Sequence, residues 1–289
     1  MANPNVKSVF LHLRLPFSLF LLPVFLFAVA TVPQLNIANA IVVFIVLHLF
    51  TYPASNGYNS YFDKDEGSIA LIKNPPKVNY ALYLTSVSLE WFGVLLALFV
   101  NWQFCVGVIF YNFLSKAYSH PSVRLKKYAI ISFLVVFIFQ GAFIYYMSFF
   151  AISNFNFGFS GDVFLAGLIC SCLIGATYPL TQIYQHEEDG RRGDKTLSMK
   201  LGYKGSFIFS GLLFLFGTVL MFIYWKNNHN HKNFWIFIAC GLPVIVFFVF
   251  WLTAVWKDQT AANFKNMMRM TLISSSAMLI YFSWLCFFA

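Results

Sequence analysis

The chain has 289 residues, 60% of them apolar and only 10% charged, with a formal net charge of +9. Soluble domains carry about 25% charged residues, so a soluble globular enzyme is excluded at the outset. Nothing is Cys-dense or Pro/Gly-periodic, which also removes a disulfide scaffold, a collagen-like repeat and general disorder; a polytopic membrane protein remains.

A bilayer core about 30 Å thick needs about 20 apolar residues per helix. In chain order, nine segments meet that need: 15–33, 37–60, 79–100, 103–118, 128–150, 163–184, 205–225, 233–255 and 270–288. The fourth is short, and the second turns polar towards its C-terminal end. The first run is headed by Arg14 and followed by no small-residue cleavage site, so no cleavable signal is expected. The runs are continuous instead of alternating, which argues against a closed barrel. The expected fold is an all-α membrane protein, a bundle of nine transmembrane helices.

The basic residues orient it. With the N-terminus inside, 17 of the 19 Lys and Arg residues fall in inner segments, and only Lys226 and Lys232 lie outside. The positive-inside rule then predicts a cytoplasmic N-terminus and an outer C-terminus, as for a bacterial inner-membrane protein. The +9 is topology, and no nucleic-acid partner is expected. Cys105, Cys170, Cys172, Cys240 and Cys286 all lie in apolar runs, and the six histidines show no zinc-like spacing, so both sets are read as structural.

The acids carry the chemistry. Seven of the ten sit in two inner loops: Asp63, Asp65 and Glu66 in one, Glu187, Glu188, Asp189 and Asp194 in the other. Each cluster is expected to begin on the last turns of a transmembrane helix, where a carboxylate is costly unless a cavity, cation or partner compensates it. Asn59 and Asp63 share one helical face as an i, i+4 pair, and Gln185 and Asp189 do the same. Glu90, alone in the third apolar run, is either a functional carboxylate or paired with a polar neighbour.

The two clusters also read as copies. Set 126 residues apart, TYPASNGYNSYFDKDEG (51–67) and TYPLTQIYQHEEDGRRG (177–193) share six identities in 17 positions, against about one expected by chance. Asp63 aligns with Asp189, and Asn59 with Gln185, which keeps the amide. Four helices separate the copies, so both acidic ends are expected on the same membrane face. The predicted layout is one membrane-embedded domain over 1–289, with pseudo-repeats at about 14–127 and 128–255 and an extra helix at about 267–289. Acid–amide clusters facing each other across a bundle make an oxygen-rich site suited to Mg²⁺.

With these motifs assembled, the chain resembles the UbiA-type superfamily of intramembrane aromatic prenyltransferases. Asn59 and Asp63 match the family's N-x-x-x-D-x-x-x-D motif, with Gly67 at the last Asp position. Asp189, GDKTL (193–197) and Leu201-Gly202 match the second motif, with Gln185 at its first Asp position. YSHPSVRLK (118–126) resembles the family's Y-S-x-P-x-x-R-x-K loop, LRLPFS (13–18) its Arg-led approach to the first helix, and NFKNMMRM (263–270) its approach to the ninth. The resemblance implies a central cavity and Mg²⁺-dependent transfer of an isoprenyl group from a prenyl diphosphate to an aromatic, quinone-precursor or lipid acceptor.

Under that resemblance Asp63, Asp189, Arg124 and Lys126 are the catalytic residues. Asn59, Gln185, Lys73, Tyr118, Ser119, Arg192 and Lys195 contact the substrates. Asn59, Asp63, Asp65, Glu66, Glu188 and Asp189 form the metal set; in place of the two missing motif carboxylates stand Asp65 or Glu66 at the first end and Glu187 or Glu188 at the second, none of them in the family's helical phase. Tyr58 and Tyr184, each one residue before a motif amide, are candidates for the site or for capping and packing, the second being the commoner role. The competing reading is a non-catalytic, transport or lipid-binding protein built on the same bundle; the two missing motif carboxylates favour it, and Glu90 is the one acid that does so.

Overall fold

The computed structural model describes residues 4–153 and 158–288, and its described residues are helical with no strands. Thirteen α-helices follow in order: α1 (Pro4–Leu13), α2 (Leu22–Thr31), α3 (Ile37–Ile45), α4 (Tyr52–Asp63), α5 (Tyr80–Ala97), α6 (Trp102–Ser119), α7 (Ala129–Val135), α8 (Ile144–Ile152), α9 (Gly161–Gln182), α10 (His186–Arg191), α11 (Leu197–Asn227), α12 (His231–Lys257) and α13 (Phe264–Phe288). Several are pieces of one longer helical run. Wider π turns join α3 to α4 (Val46–Thr51) and α7 to α8 (Val136–Phe143). Such turns absorb one extra residue without breaking the helix.

Among the described residues, eight helical runs are long and apolar enough to cross a membrane. The expected fourth segment, 103–118, exists as the 18-residue α6, but it is not one of the eight. Gln103, Asn112 and Lys116 dilute its apolar character. Large apolar side chains face outwards: Phe99, Trp102, Val246 and Phe287 are among the most exposed residues. Surface of this kind is stable only with lipid as its solvent. Helix starts follow local chemistry: Asn36, Asn79, Asn101, Ser160, Thr196 and Asn230 each accept a hydrogen bond from a backbone N–H in the first turn that follows. These side chains satisfy donors that a helix start leaves unpaired.

The chain divides into two compact units. The first comprises Met1–Leu22, Val32–Leu125 and Met147–Phe157. Here α4 and α5 approach closely at Gly57, where a Cβ would lie 2.2 Å from Ser86 Oγ, so no side chain fits. Val9, Leu13 and Leu82 form a small apolar core, with Tyr61, Val78 and Leu89 packed on it. The second unit comprises Pro23–Thr31, Lys126–Tyr146 and Gly158–Ala289. In it α9 lies against the 136–143 π turn, where the Ala142 N–H donates to Ser171 Oγ at 2.9 Å. Phe27 packs among Tyr145, Tyr224 and Phe282, and Trp225 donates to Tyr281 at 2.7 Å.

Candidate functional site: two acidic helix ends

In the first unit, α4 and α6 are joined by a ladder of polar contacts. Ser55, Asn59 and Asp63 stand at i, i+4 and i+8 on one face of α4, and Ser115 and Ser119 stand at i, i+4 on α6. Ser55 and Ser115 share a hydroxyl–hydroxyl bond. Ser119 Oγ donates to Asn59 Oδ1 at 2.6 Å. One turn further, Asp63 Oδ1 lies 3.9 Å from Arg124 Nη1, a loose ion pair with a buried carboxylate. The chain supplies both ends of that last rung by turning sharply. Lys64 closes α4 in the left-handed conformation (φ 51°), and Arg124 adopts the same conformation (φ 45°) as its N–H returns to the His120 carbonyl.

The motif residues Asn59, Asp63, Ser119 and Arg124 therefore meet, although 60 residues separate the members of the Asn59–Ser119 bond. Tyr118 is half-buried one residue before Ser119. Beyond α4, Asp65 is half-buried while Glu66 and Lys73 are exposed. The Lys73 carbonyl accepts from Ser68 Oγ at 2.7 Å, closing a tight turn around Ile69–Ile72. Glu90 resolves as a paired group: Lys116 Nζ lies 2.7 Å from its carboxylate and 5.9 Å above the Tyr58 ring. Tyr58 is buried and its ring also packs against Phe62 and Tyr83.

The second acidic end is built differently. The sequence alignment places Gln185 and Asp189 on the last turns of a membrane helix, but α9 stops at Gln182, and Glu187, Glu188 and Asp189 lie on the separate short helix α10, with Gln185 just before it and Asp194 beyond it. The Gln185 carbonyl accepts the first bond of α10, from the Asp189 N–H at 2.9 Å. The break coincides with a contact from further along the chain. Gln182 is buried and accepts from the Ser198 N–H at 3.3 Å, while four consecutive polar residues from Gln185 to Glu188 favour the water side. Glu188 pairs with Arg192 at 2.6 Å across one turn, and both are partly buried. Glu187 and the Lys195 side chain are exposed, and Asp189 is half-buried.

Two ties hold this segment. The Lys195 N–H donates to the Lys127 carbonyl at 3.1 Å, beside a parallel bridge from Tyr128 to Lys195 and next to half-buried Lys126. His186 bonds Ser198 Oγ at 2.8 Å, Ser198 Oγ bonds Ser206 Oγ at 2.9 Å, and the His186 ring stacks on Tyr203 at 4.8 Å. Burial holds the His186 pKa below the usual imidazole value. Gly202 breaks α11 at φ 69°, ψ 176°, a conformation open essentially to glycine alone. The Leu201-Gly202 dipeptide is thus a backbone requirement that lets Ser206 reach back to Ser198. Sequence reasoning missed His186, Ser198, Ser206 and Tyr203, for which spacing from Gly202 is the one available signal. Tyr184 packs on Phe264, with ring centres 5.4 Å apart.

Among the described residues no three His, Cys, Asp or Glu side chains converge as a ready-made metal cage. Magnesium keeps several waters and binds through one or two carboxylates plus substrate phosphates, instead of an all-protein cage. Asp63 with Asn59, and Asp189 with Gln185, are hard oxygen donors of that kind.

Solved structures share this fold. A UbiA homologue from Archaeoglobus fulgidus bound to DMAPP and Mg²⁺ aligns over 96% of this chain and 99% of its own, with TM-score 0.66 and 13% identity. The same homologue bound to GPP and Mg²⁺ gives 0.62 at 14% identity, over 96% and 99%. A digeranylgeranylglyceryl phosphate synthase gives 0.61 at 15% identity, over 98% of both chains. A search of curated proteins finds no match in sequence. Residues 19–273 match the UbiA prenyltransferase family, and with eight apolar membrane-length helices the chain belongs to that family as an integral multi-pass membrane protein.

Proposed function

We propose that the protein transfers an isoprenyl group from a prenyl diphosphate to a small aromatic or quinone-precursor acceptor, in a Mg²⁺-dependent reaction on the cytoplasmic side. The observation that carries this reading is the α4–α6 ladder: Asn59, Asp63, Ser119 and Arg124, drawn from two separate motifs, meet at one helix end. The reading treats the chain as one membrane-embedded domain with pseudo-repeats at about 14–127 and 128–255 and a final helix. Its N-terminus is cytoplasmic and its C-terminus outside, as in a bacterial inner membrane.

When bound, Mg²⁺ neutralises the charge that builds on the diphosphate as its allylic C–O bond breaks. Asp63 and Asn59, with Asp65 and Glu66 close in sequence, hold it at the first acidic end. Asp189, Gln185 and Glu188 do so at the second. Arg124, Lys126, Lys73, Arg192 and Lys195 add positive charge for the leaving group. In the first unit Ser119 donates to the Asn59 amide oxygen and so orients it, while Tyr118 and Ser119 border the acceptor. The apolar helices exclude water, which would otherwise trap the isoprenyl cation as an alcohol. Nearby aromatic faces stabilise that cation by about 0.5–2 kcal/mol each. Glu90, one feature behind the competing reading, is engaged by Lys116.

The test is turnover of purified protein with labelled geranyl, farnesyl and geranylgeranyl diphosphates, Mg²⁺ and a panel of aromatic and lipid acceptors. Diphosphate release that requires Mg²⁺ and an acceptor is the expected result. No release with any combination overturns the enzymatic reading.

A further inference from the structure

Helix α1 has two unlike sides. Ser8, Val9, His12 and Leu13 are buried, whereas Val6, Lys7, Phe10 and Leu11 are exposed, so each side repeats at i, i+4. The buried side grips a defined target. Ser8 Oγ donates to the Lys77 carbonyl at 2.9 Å, and the His12 ring bonds the Pro76 carbonyl at 2.7 Å. Val9 and Leu13 close the contact by packing with Leu82 and Val78. Pro76 and Lys77 end the 64–79 loop, which has no regular helix of its own. Two of that loop's carbonyls thus take their partners from α1.

The exposed side is apolar where an aqueous helix would be charged. Phe10 is 62% exposed, and the strip continues through Val6, Leu11, Leu15 and Leu19 to the start of the first apolar span. Arg14, in the left-handed conformation, separates α1 from the tighter turn Leu15–Phe20 within the apolar stretch Val6–Thr31. Because the strip runs on into the lipid-facing surface of a membrane protein, its occupant is lipid. Lys7 on the same side supplies the cation that anionic headgroups favour.

We propose that α1 is an interfacial strap, docking Val6, Phe10 and Leu11 into the phospholipid headgroup boundary while Ser8 and His12 hold the 64–79 loop. Lipid contact thereby sets the order of that loop. That the loop also bears Asp65, Glu66 and Lys73, and so links the strap to diphosphate binding, rests on the proposed function; the docking itself does not.

The test uses full-length protein in nanodiscs of phosphatidylcholine and phosphatidylglycerol, and its readouts do not depend on turnover. A nitroxide on Phe10→Cys, in a background with the native cysteines replaced, should collide with oxygen and be shielded from a water-soluble nickel chelate. The same label on Ser122→Cys should do the opposite. Phe10→Asp and Ser8→Ala/His12→Ala should each speed amide exchange in the 64–79 loop by about tenfold, with exchange in α12 unchanged as the control for folding. A chelate-accessible label at position 10, or loop exchange unaltered by Phe10→Asp, overturns the strap. Failure of prenyl transfer alone leaves these readouts standing and removes only the link to diphosphate binding.

Discussion

The two acidic ends carry the same seventeen-residue pattern, yet they are held in opposite ways. At the first, the helix continues to its last carboxylate, and a second helix meets it rung by rung, from Ser55–Ser115 to Asp63–Arg124. At the second, the helix stops short, and a one-turn helix carries the acids, tied by backbone and by the His186–Ser198–Ser206 chain. The first end is a rigid donor pair with a built-in cation. The second spends Glu188 on Arg192 and is secured from outside its own helix. Two stretches of similar sequence thus keep their donors while their support differs, because support comes from whichever segment packs beside each.

The sharpest way to break the comparison is to remove the shared carboxylate from each end. Asp63→Ala and Asp189→Ala should each lower turnover by at least about a hundredfold, the scale of losing a main charge-stabilising group. Full activity in Asp189→Ala, with Asp63→Ala dead, would make the first end the sole ligand site. If both variants stay active, the site assignment fails.

Next in size is the backbone device peculiar to the second end. Gly202→Ala forces a side chain into φ 69°, ψ 176°, at an expected loss of about 1–3 kcal/mol. Thermal unfolding in detergent, read beside limited proteolysis of 183–196, should show loosening there with the first unit's fragments unchanged.

The first end is sharpened by its lateral ion pair. Glu90→Leu strips Lys116 of its carboxylate, and because Lys116 is about one-third exposed the expected destabilisation is about 1–2 kcal/mol, well below that of a fully buried pair. Adding Lys116→Met should recover most of it. A double variant no more stable than the single one would show that the pair is not what matters there.

The smallest effects come from single hydrogen bonds. Ser119→Ala removes the donor to Asn59 Oδ1 and should raise the Mg²⁺ concentration for half-maximal activity about five- to tenfold, equivalent to about 1 kcal/mol. His186→Ala should cost about 1 kcal/mol of stability with little change in that Mg²⁺ requirement. Equal Mg²⁺ shifts in the two variants would erase the distinction between a donor-orienting contact and a merely securing one.

Much of the fold is legible in the residues alone. Apolar runs about twenty residues long dictate helices in lipid, since no other open structure satisfies its backbone there. Each of the nine runs falls on a helical stretch, and the rule weakens only at α6, where polar residues interrupt the apolar surface. Asn59 and Asp63 are readable because a helical repeat of 3.6 residues places i and i+4 on one face, a property of the local chain. Gln185 and Asp189 obey the same rule, but the stop at Gln182 does not follow from it. That stop depends on Ser198, sixteen residues away, offering its N–H to the Gln182 side chain.

Composition, hydropathy period and motif spacing by themselves determined that this is a helical membrane protein with two acid–amide ends and a family resemblance running almost end to end. All of these are local quantities, set by residues within a few turns of one another. Tertiary structure alone decided which partner each motif residue meets: Ser119 for Asn59, Arg124 for Asp63, Lys116 for Glu90, Ser198 for His186, and Pro76 for His12. Hydrogen bonds and ion pairs act over about 3–4 Å, and only packing brings distant parts of the chain within that reach.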